Sequence, residues 1–143
     1  MTATPKTLVD ITVLMDALNN EQEPDNASNA ILSLAAKGRI QGYVCAAAID
    51  PLHTELARNR GRTHARSAIQ RVCDILAIAP VDAGVIQGAI GLGWRDLDDA
   101  LTFESARRIG LDYLVTLNGA DFDHPALAVH APEEFIQSFE ERP

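Results

Sequence analysis

The chain has 143 residues, room for one domain with a core of its own and hardly for two. Its hydrophobic fraction of 47% and charged fraction of 22% are those of an ordinary soluble globular protein. Twenty Asp and Glu against twelve Lys and Arg give a net charge of −8, a balance that argues against bulk electrostatic attachment to nucleic acid or to an anionic membrane.

Thr7-Leu8-Val9 is a short apolar strand signal that ends on Asp10. Val13 to Leu18 reads as a helix closed by Asn19 and Asn20, and the polar run from Asn19 to Asn26, with Pro24, reads as a loop. Ile31, Leu34 and Ala35 stand at helical spacing, with Gly38 as the C-terminal stop. Ile40 to Cys45 holds a second strand. Thr63 to Leu76 is the clearest helix, because Ala65, Ala68, Ile69, Val72, Cys73 and Leu76 follow the 3.6 period. Ile78 to Val81 follows as a strand, and Asp82 is a good N-cap for a helix to about Ile90. Asp98 to Ile109 predicts another helix, stopped by Gly110. Tyr113 to Thr116 is an apolar strand of the kind buried on both faces, Ala126 to Val129 a last strand, and Pro132-Glu133-Glu134 the start of a terminal helix. Short apolar strands alternating with helices imply an α/β fold with a parallel sheet covered on both faces, organised as one domain over 1–143.

Several classes fall away. Cys45 and Cys73 are the two cysteines, with no CxxC or Cys/His cluster, and both read as buried thiols rather than a disulfide framework or a zinc site. No stretch approaches the ~18 apolar residues of a membrane span. Met1 to Lys6 lacks the features of a signal peptide, which suggests a cytoplasmic protein. Gly91-Leu92-Gly93 does not follow a strand as a dinucleotide fingerprint requires.

Ligands of open parallel sheets bind beyond the carboxyl ends of the strands, which singles out acids placed just after strands. Asp10 ends the first strand. Asp121 follows the turn-like Leu117-Asn118-Gly119-Ala120 after Thr116. Asp96, Asp98 and Asp99 begin the helix that feeds the Tyr113 strand, and the three-residue spacing of Asp96 and Asp99 puts them on one face. Carboxylates gathered from distant positions repel unless a cation intervenes, and such oxygen donors suit Mg²⁺ or Mn²⁺. The structural alternatives are an N-cap at Asp96 or Asp98 and a turn at Asp121. Asp10 lacks an equally simple one, because an acid ending a buried strand is costly without a partner.

Leu8-Val9-Asp10-Ile11-Thr12-Val13-Leu14-Met15-Asp16 resembles the opening motif of the PIN domain ribonucleases. Asp96-Leu97-Asp98-Asp99-Ala100-Leu101 is similar to the family's third acidic motif, and Tyr113 to Phe122 to its closing one, in the same order and over most of the chain. The resemblance implies a Rossmann-like three-layer α/β/α sandwich and an endoribonuclease that hydrolyses RNA phosphodiesters with Mg²⁺ or Mn²⁺. By position it makes Asp10, Asp99 and Asp121 the catalytic, metal-binding carboxylates. Asp96 becomes an auxiliary acid, and Thr12, Thr116 and Asn118 become supports. It also implies the toxin of a VapC-like toxin–antitoxin pair, with an antitoxin partner and a homodimer. Two departures stand out. Ile11 and Thr12 replace the family's Thr or Ser followed by Asn, and Asp50 is the nearest counterpart of a Glu early in the helix after strand two. Asp50-Pro51 is equally a natural N-cap followed by a first-turn proline.

Arg58, Arg60, Arg62, Arg66 and Arg71 place five of the twelve cations within fourteen residues uninterrupted by an acid, except that Asp74 follows soon after. They form either a solvated face or a rim that grips RNA phosphates or an acidic antitoxin segment. His53, His64, His124 and His130 show no ligand spacing. Aromatic residues make up 5% with no interleaved pattern of arginines, which speaks against base stacking, and Trp94 reads as core or interface, with the edge of the site as the alternative. Two other functions remain open. One is a PIN-like binding module with weak or no nuclease activity. The other is a phosphohydrolase using Asp10, for which Thr12 stands where a second Asp belongs.

Overall fold

Five short strands run parallel through the centre of the molecule: β1 (Lys6–Val9), β2 (Gln41–Cys45), β3 (Ala77–Ala79), β4 (Tyr113–Val115) and β5 (Ala128–His130), in the spatial order β3-β2-β1-β4-β5. The computed structural model describes residues 4–140; Met1 to Ala3, part of the amino-terminal segment considered above, lie outside them. β1 is the middle strand, pairing Leu8 with Tyr43 on one side and Leu8 with Leu114 on the other. Thr7, Leu8 and Val9 are buried, as a strand covered on both faces requires.

Seven α-helices flank the sheet: α1 (Ile11–Asn19), α2 (Ala27–Ala36), α3 (Ile49–Arg60), α4 (Arg62–Ile75), α5 (Ala83–Gly91), α6 (Leu97–Arg108) and α7 (Pro132–Glu140). α1 to α4 pack among themselves with α7 against α2, while α5 packs on α6. The result is the expected three-layer α/β/α sandwich. Its core joins Leu8, Val44 and Leu114 of the sheet to Leu14, Ile31, Leu52, Leu56, Val72, Phe103 and Phe135 of the helices.

The chain leaves β1 toward β2 and β3, then returns to the other side of β1 to add β4 and β5. Where such a sheet reverses direction, the loops after two adjacent strands part and open a crevice at their carboxyl ends. Here that point lies between β1 and β4, so the residues following Val9 and Val115 face each other by topology alone.

Three local expectations change. α3 was not resolved as a helix from sequence, because its apolar face holds only Leu52 and Leu56 as buried residues. It also begins at Ala48 as N-cap, so Asp50 lies inside the first turn rather than capping it. Cys45 is buried as expected, but Cys73 is exposed: it sits beside the buried stripe of Ala65, Ala68 and Val72 rather than on it. Finally, β5 starts two residues later than predicted, at Ala128.

Candidate active site

Asp10 is 3% exposed at the end of β1 and occupies the N-cap position of α1. Its carbonyl accepts from the amides of Val13 and Leu14, yet its carboxylate makes no capping bond. Instead Oδ2 accepts two hydroxyl protons, from Thr12 Oγ1 at 2.7 Å and from Thr116 Oγ1 at 2.8 Å. Those hydroxyls are themselves fixed: Thr12 Oγ1 accepts from the Leu117 amide at 3.1 Å, and Thr116 Oγ1 from the Asn118 amide at 3.0 Å. This network compensates the burial of a charge that would otherwise be costly. It stitches the turn after β4 to the start of α1. Oδ1 of Asp10 takes no hydrogen bond from the described residues and keeps its lone pairs for a ligand.

The second group comes from the start of α6. Asp96 is its N-cap, and Asp96 Oδ1 accepts from the Asp99 amide at 3.1 Å, so the capping alternative holds for Asp96. Asp98 and Asp99 occupy the first turn, where the helix dipole favours negative charge. Asp121 lies on a single 3₁₀ turn, Gly119–Phe122, whose backbone is tied back by the Asp121 amide to the Asn118 carbonyl at 3.0 Å. Asn118 thus contributes backbone groups at both ends of the turn, while its side chain is exposed.

These acids feel one another. The Asp99 carboxyl is pushed up to about 6, first by partial burial and then by the charges of Asp96, Asp10, Asp121 and Asp98. Like charges that raise a carboxyl in this way create a demand for a cation. A cavity of about 670 Å³ opens over Asp96, Asp99 and Asp121, lined by Trp94, Arg95, Asp96, Leu97, Asp99, Ala120, Asp121 and Asp123, with Asp10 and Asp98 outside its lining. It falls within the ordinary range of ligand pockets, roughly 300–1,000 Å³. Among the described residues, no three His, Cys, Asp or Glu side chains are gathered closely enough to form a ready-made metal cluster.

The remaining candidates lie apart. Asp50 is exposed on α3; it does not line the cavity, nor is it among the charges acting on Asp99. Arg58 is paired with Glu55 at 2.7 Å, and Arg71 with Glu21 at 2.9 Å. Arg60, Arg62 and Arg66 are exposed, and none of the five lines the cavity. Sequence reasoning offered the edge of the site as one place for Trp94 and missed Arg95 as a cavity wall. It also passed over Glu104 of α6, fully buried and held by Arg107 Nη2 at 2.6 Å and Arg108 Nε at 2.8 Å. Arg108 reaches on to the Gly84 carbonyl at 3.0 Å, clamping α5 against the helix that carries Asp96 and Asp99. The signal was present in Glu104-Ser105-Ala106-Arg107-Arg108, an acid three and four residues before two arginines.

Fold and site together define a Rossmann-like α/β protein with an acid-lined cleft at the switch point of its sheet. The PIN domain family model matches residues 6–120, and the chain belongs to the PIN domain family. Its fold is also that of VapC structures. The DNA-bound VapBC of Salmonella typhimurium superposes with a TM-score of 0.71 at 12% identity, covering 90% of this chain and 99% of that one. VapBC2 of Rickettsia felis, bound to a promoter DNA fragment, gives 0.68 at 18% identity over 86% and 96%. Mycobacterium tuberculosis VapC20, a sarcin–ricin-loop-cleaving toxin, gives 0.64 at 17% identity over 80% and 92%. No curated protein matches the chain significantly. Among the described residues no helix is long and apolar enough to cross a membrane.

Proposed function

We propose that this chain, as a single PIN-like domain, is a Mg²⁺- or Mn²⁺-dependent endoribonuclease acting in the cytoplasm as the toxin of a toxin–antitoxin pair. One observation carries the reading: carboxylates from three separate segments, Asp10, Asp96 and Asp121, act on Asp99, which partial burial first and these charges next push up to about 6. Oxygen-only donors under mutual repulsion fit a hard divalent cation. Asp10, Asp99 and Asp121 are the residues that would hold it, with Asp96 adding negative charge beside them and Asp50 contributing at most from outside. Such an ion supplies positive charge to a phosphodiester under attack and a water of lowered pKa.

The protein's own contribution is positional. Thr12 and Thr116 fix Oδ2 of Asp10 and leave Oδ1 free. Asn118 shapes the turn that presents Asp121. Arg60, Arg62 and Arg66, without an ion pair among the described residues, offer a cationic surface for RNA phosphates or an acidic antitoxin segment. A homodimer accords with the exposed apolar residues Ile86 and Ile90 on α5. Purified protein should cleave RNA with Mn²⁺ and fall silent with a chelator, and Asp10→Asn should be inactive. Undiminished cleavage by that variant removes the assignment.

A second reading, a PIN-like binding module with weak or no nuclease activity, draws on the absence of a ready-made metal cluster among the described residues. Calorimetric titration separates the two: tight Mn²⁺ binding that is lost in Asp10→Asn favours the nuclease.

A further inference from the structure

The cavity over the carboxylates has two walls of opposite character. One is acidic, with Asp96, Asp99, Asp121 and Asp123. The other is formed by Trp94, Arg95 and Leu97, and Leu97 is 51% exposed although it is a large apolar residue. Trp94 is half-buried, so part of its indole faces the cavity while the rest is anchored. The anchor is aromatic. Its ring centroid lies 5.0 Å from that of Phe103 and 6.1 Å from that of Phe122, both fully buried, and His124 lies tilted against Phe103 at 4.7 Å. A rigid indole held from below and open above is a surface suited to a planar ring.

The chain delivers Trp94 there by a sharp turn. α5 ends at Gly91, and Gly93, with φ +67°, donates its amide to the Ile90 carbonyl at 3.1 Å. That left-handed conformation suits glycine, and it directs the next two residues over the cleft. Arg95 makes no ion pair among the described residues, although it shares the cavity with four carboxylates. Its guanidinium therefore remains available to an anion arriving from outside.

From this arrangement we infer that Trp94 and Arg95 form a substrate-positioning platform on which an unpaired RNA base stacks while Arg95 engages a backbone phosphate next to the carboxylate site. The inference rests on the ribonuclease reading and narrows it to single-stranded or looped RNA. A base inside a duplex has no free face to offer the indole, whereas a splayed base does. An arginine-bearing peptide entering the acidic wall is the competing occupant; its planar guanidinium can also stack on the indole, but Arg95 repels it and attracts a phosphate instead.

Trp94 is the sole tryptophan of the chain, so its emission reports the platform directly. The protein is titrated, with Ca²⁺ in place of Mg²⁺ or Mn²⁺, with a short oligoadenylate, with its duplex with oligouridylate, and with an arginine-rich peptide. Binding of labelled RNA to variants is followed by anisotropy, and Mn²⁺-dependent cleavage is measured on the same preparations. The single strand should quench Trp94 strongly and the duplex should not. Trp94→Phe should bind RNA within a few-fold of the parent, and Trp94→Ala roughly five- to a hundredfold more weakly, the span expected for one lost base stack. Arg95→Gln, a surface change that keeps the fluorophore, should weaken quenching and flatten its salt dependence. Should Trp94→Ala fail to fold, the emission of the parent and of Arg95→Gln decides alone. RNA binding with unchanged emission, full binding by folded Trp94→Ala, or quenching by the peptide and not by RNA each overturns the platform. If the parent still cleaves RNA in those cases, only the platform is lost; if it neither cleaves nor binds, the nuclease reading falls as well.

Discussion

Thr116 donates its hydroxyl hydrogen to Oδ2 of Asp10 across 2.8 Å, although 106 residues separate the two. Replacing Thr116 by Val keeps the shape and removes the donor, leaving a buried carboxylate with Thr12 alone. A hydrogen bond to a charged group contributes about 1.5–3 kcal/mol, and urea unfolding of Thr116→Val should show a loss in that range. Groups that orient metal-ligating carboxylates also set affinity, so Mn²⁺ binding should weaken roughly 10- to 100-fold.

The raised carboxyl of Asp99 makes a signed prediction. Its folded-state value of about 6 lies above the ordinary 3.8, so the folded protein holds this proton more tightly than the unfolded chain does. The resulting stabilisation is complete below about pH 4 and is lost as pH rises through 6. Asp99→Asn removes the repulsion without removing the shape. Because Asp99 is only partly buried, solvent screening keeps the effect below the full shift, and a gain of about 0.5–1.5 kcal/mol at pH 7.5 is expected. At pH 4 the variant and parent should unfold at nearly the same urea concentration.

A divalent cation should reverse that penalty. Adding Mn²⁺ at a hundred times its dissociation constant stabilises the folded state by about 2.7 kcal/mol if the unfolded chain does not bind it. A rise in melting temperature that is lost in Asp10→Asn, and that declines below pH 6 as Asp99 takes up its proton, is the expected signature in a thermal-shift measurement.

Glu104 and Gly88 test the clamp between α5 and α6. A Cβ added at Gly88 would lie 2.2 Å from Oε2 and 2.7 Å from Cδ of Glu104, whose carboxylate is pinned by Arg107 and Arg108 and cannot swing away freely. Gly88→Ala should therefore destabilise by about 1–3 kcal/mol despite the better helix propensity of alanine. Gly91→Ala in the same helix meets nothing within 4 Å and should be neutral or stabilising by up to about 1 kcal/mol. The Arg107 bond, chiefly, holds the Glu104 carboxyl below the ordinary 4.5. Its stabilisation is thus present above about pH 4.5 and is lost on acidification, so Glu104→Gln should narrow the stability gap between pH 7 and pH 3.

Element types were readable from sequence where one period dominated, as in Thr63 to Leu76 or Tyr113 to Thr116, because burial of a single face leaves a regular trace. α3 escaped because only Leu52 and Leu56 are fully buried, with Ile49 and Ala57 partly covered among mostly charged or polar residues. The acids after strands were legible for a topological reason: a parallel sheet exposes its carboxyl edge, and an ionised group is tolerated there. The resemblance named Thr12 and Thr116 as supports, but the residues alone did not show that both hydroxyls meet one oxygen of Asp10. The register Val9↔Val115, fixed only when β4 pairs with β1, brings Thr116 into reach. Trp94 reads from its place before Arg95-Asp96 as core, interface or site edge, and in the structure it is half-buried and lines the cavity. Arg58 looked like part of an open cationic run, but its pairing with Glu55 depends on a helix that the periodicity did not disclose.

The central position of β1 sets an order of events in synthesis. Asp10 leaves the ribosome well before the strand that brings it a second hydroxyl and the turn that carries Asp121, which emerge more than a hundred residues later. Until then the acid has Thr12 as its sole hydroxyl donor and β1 lacks one of its two neighbours. The cleft between β1 and β4 is therefore assembled only late in synthesis, however early its first carboxylate appears.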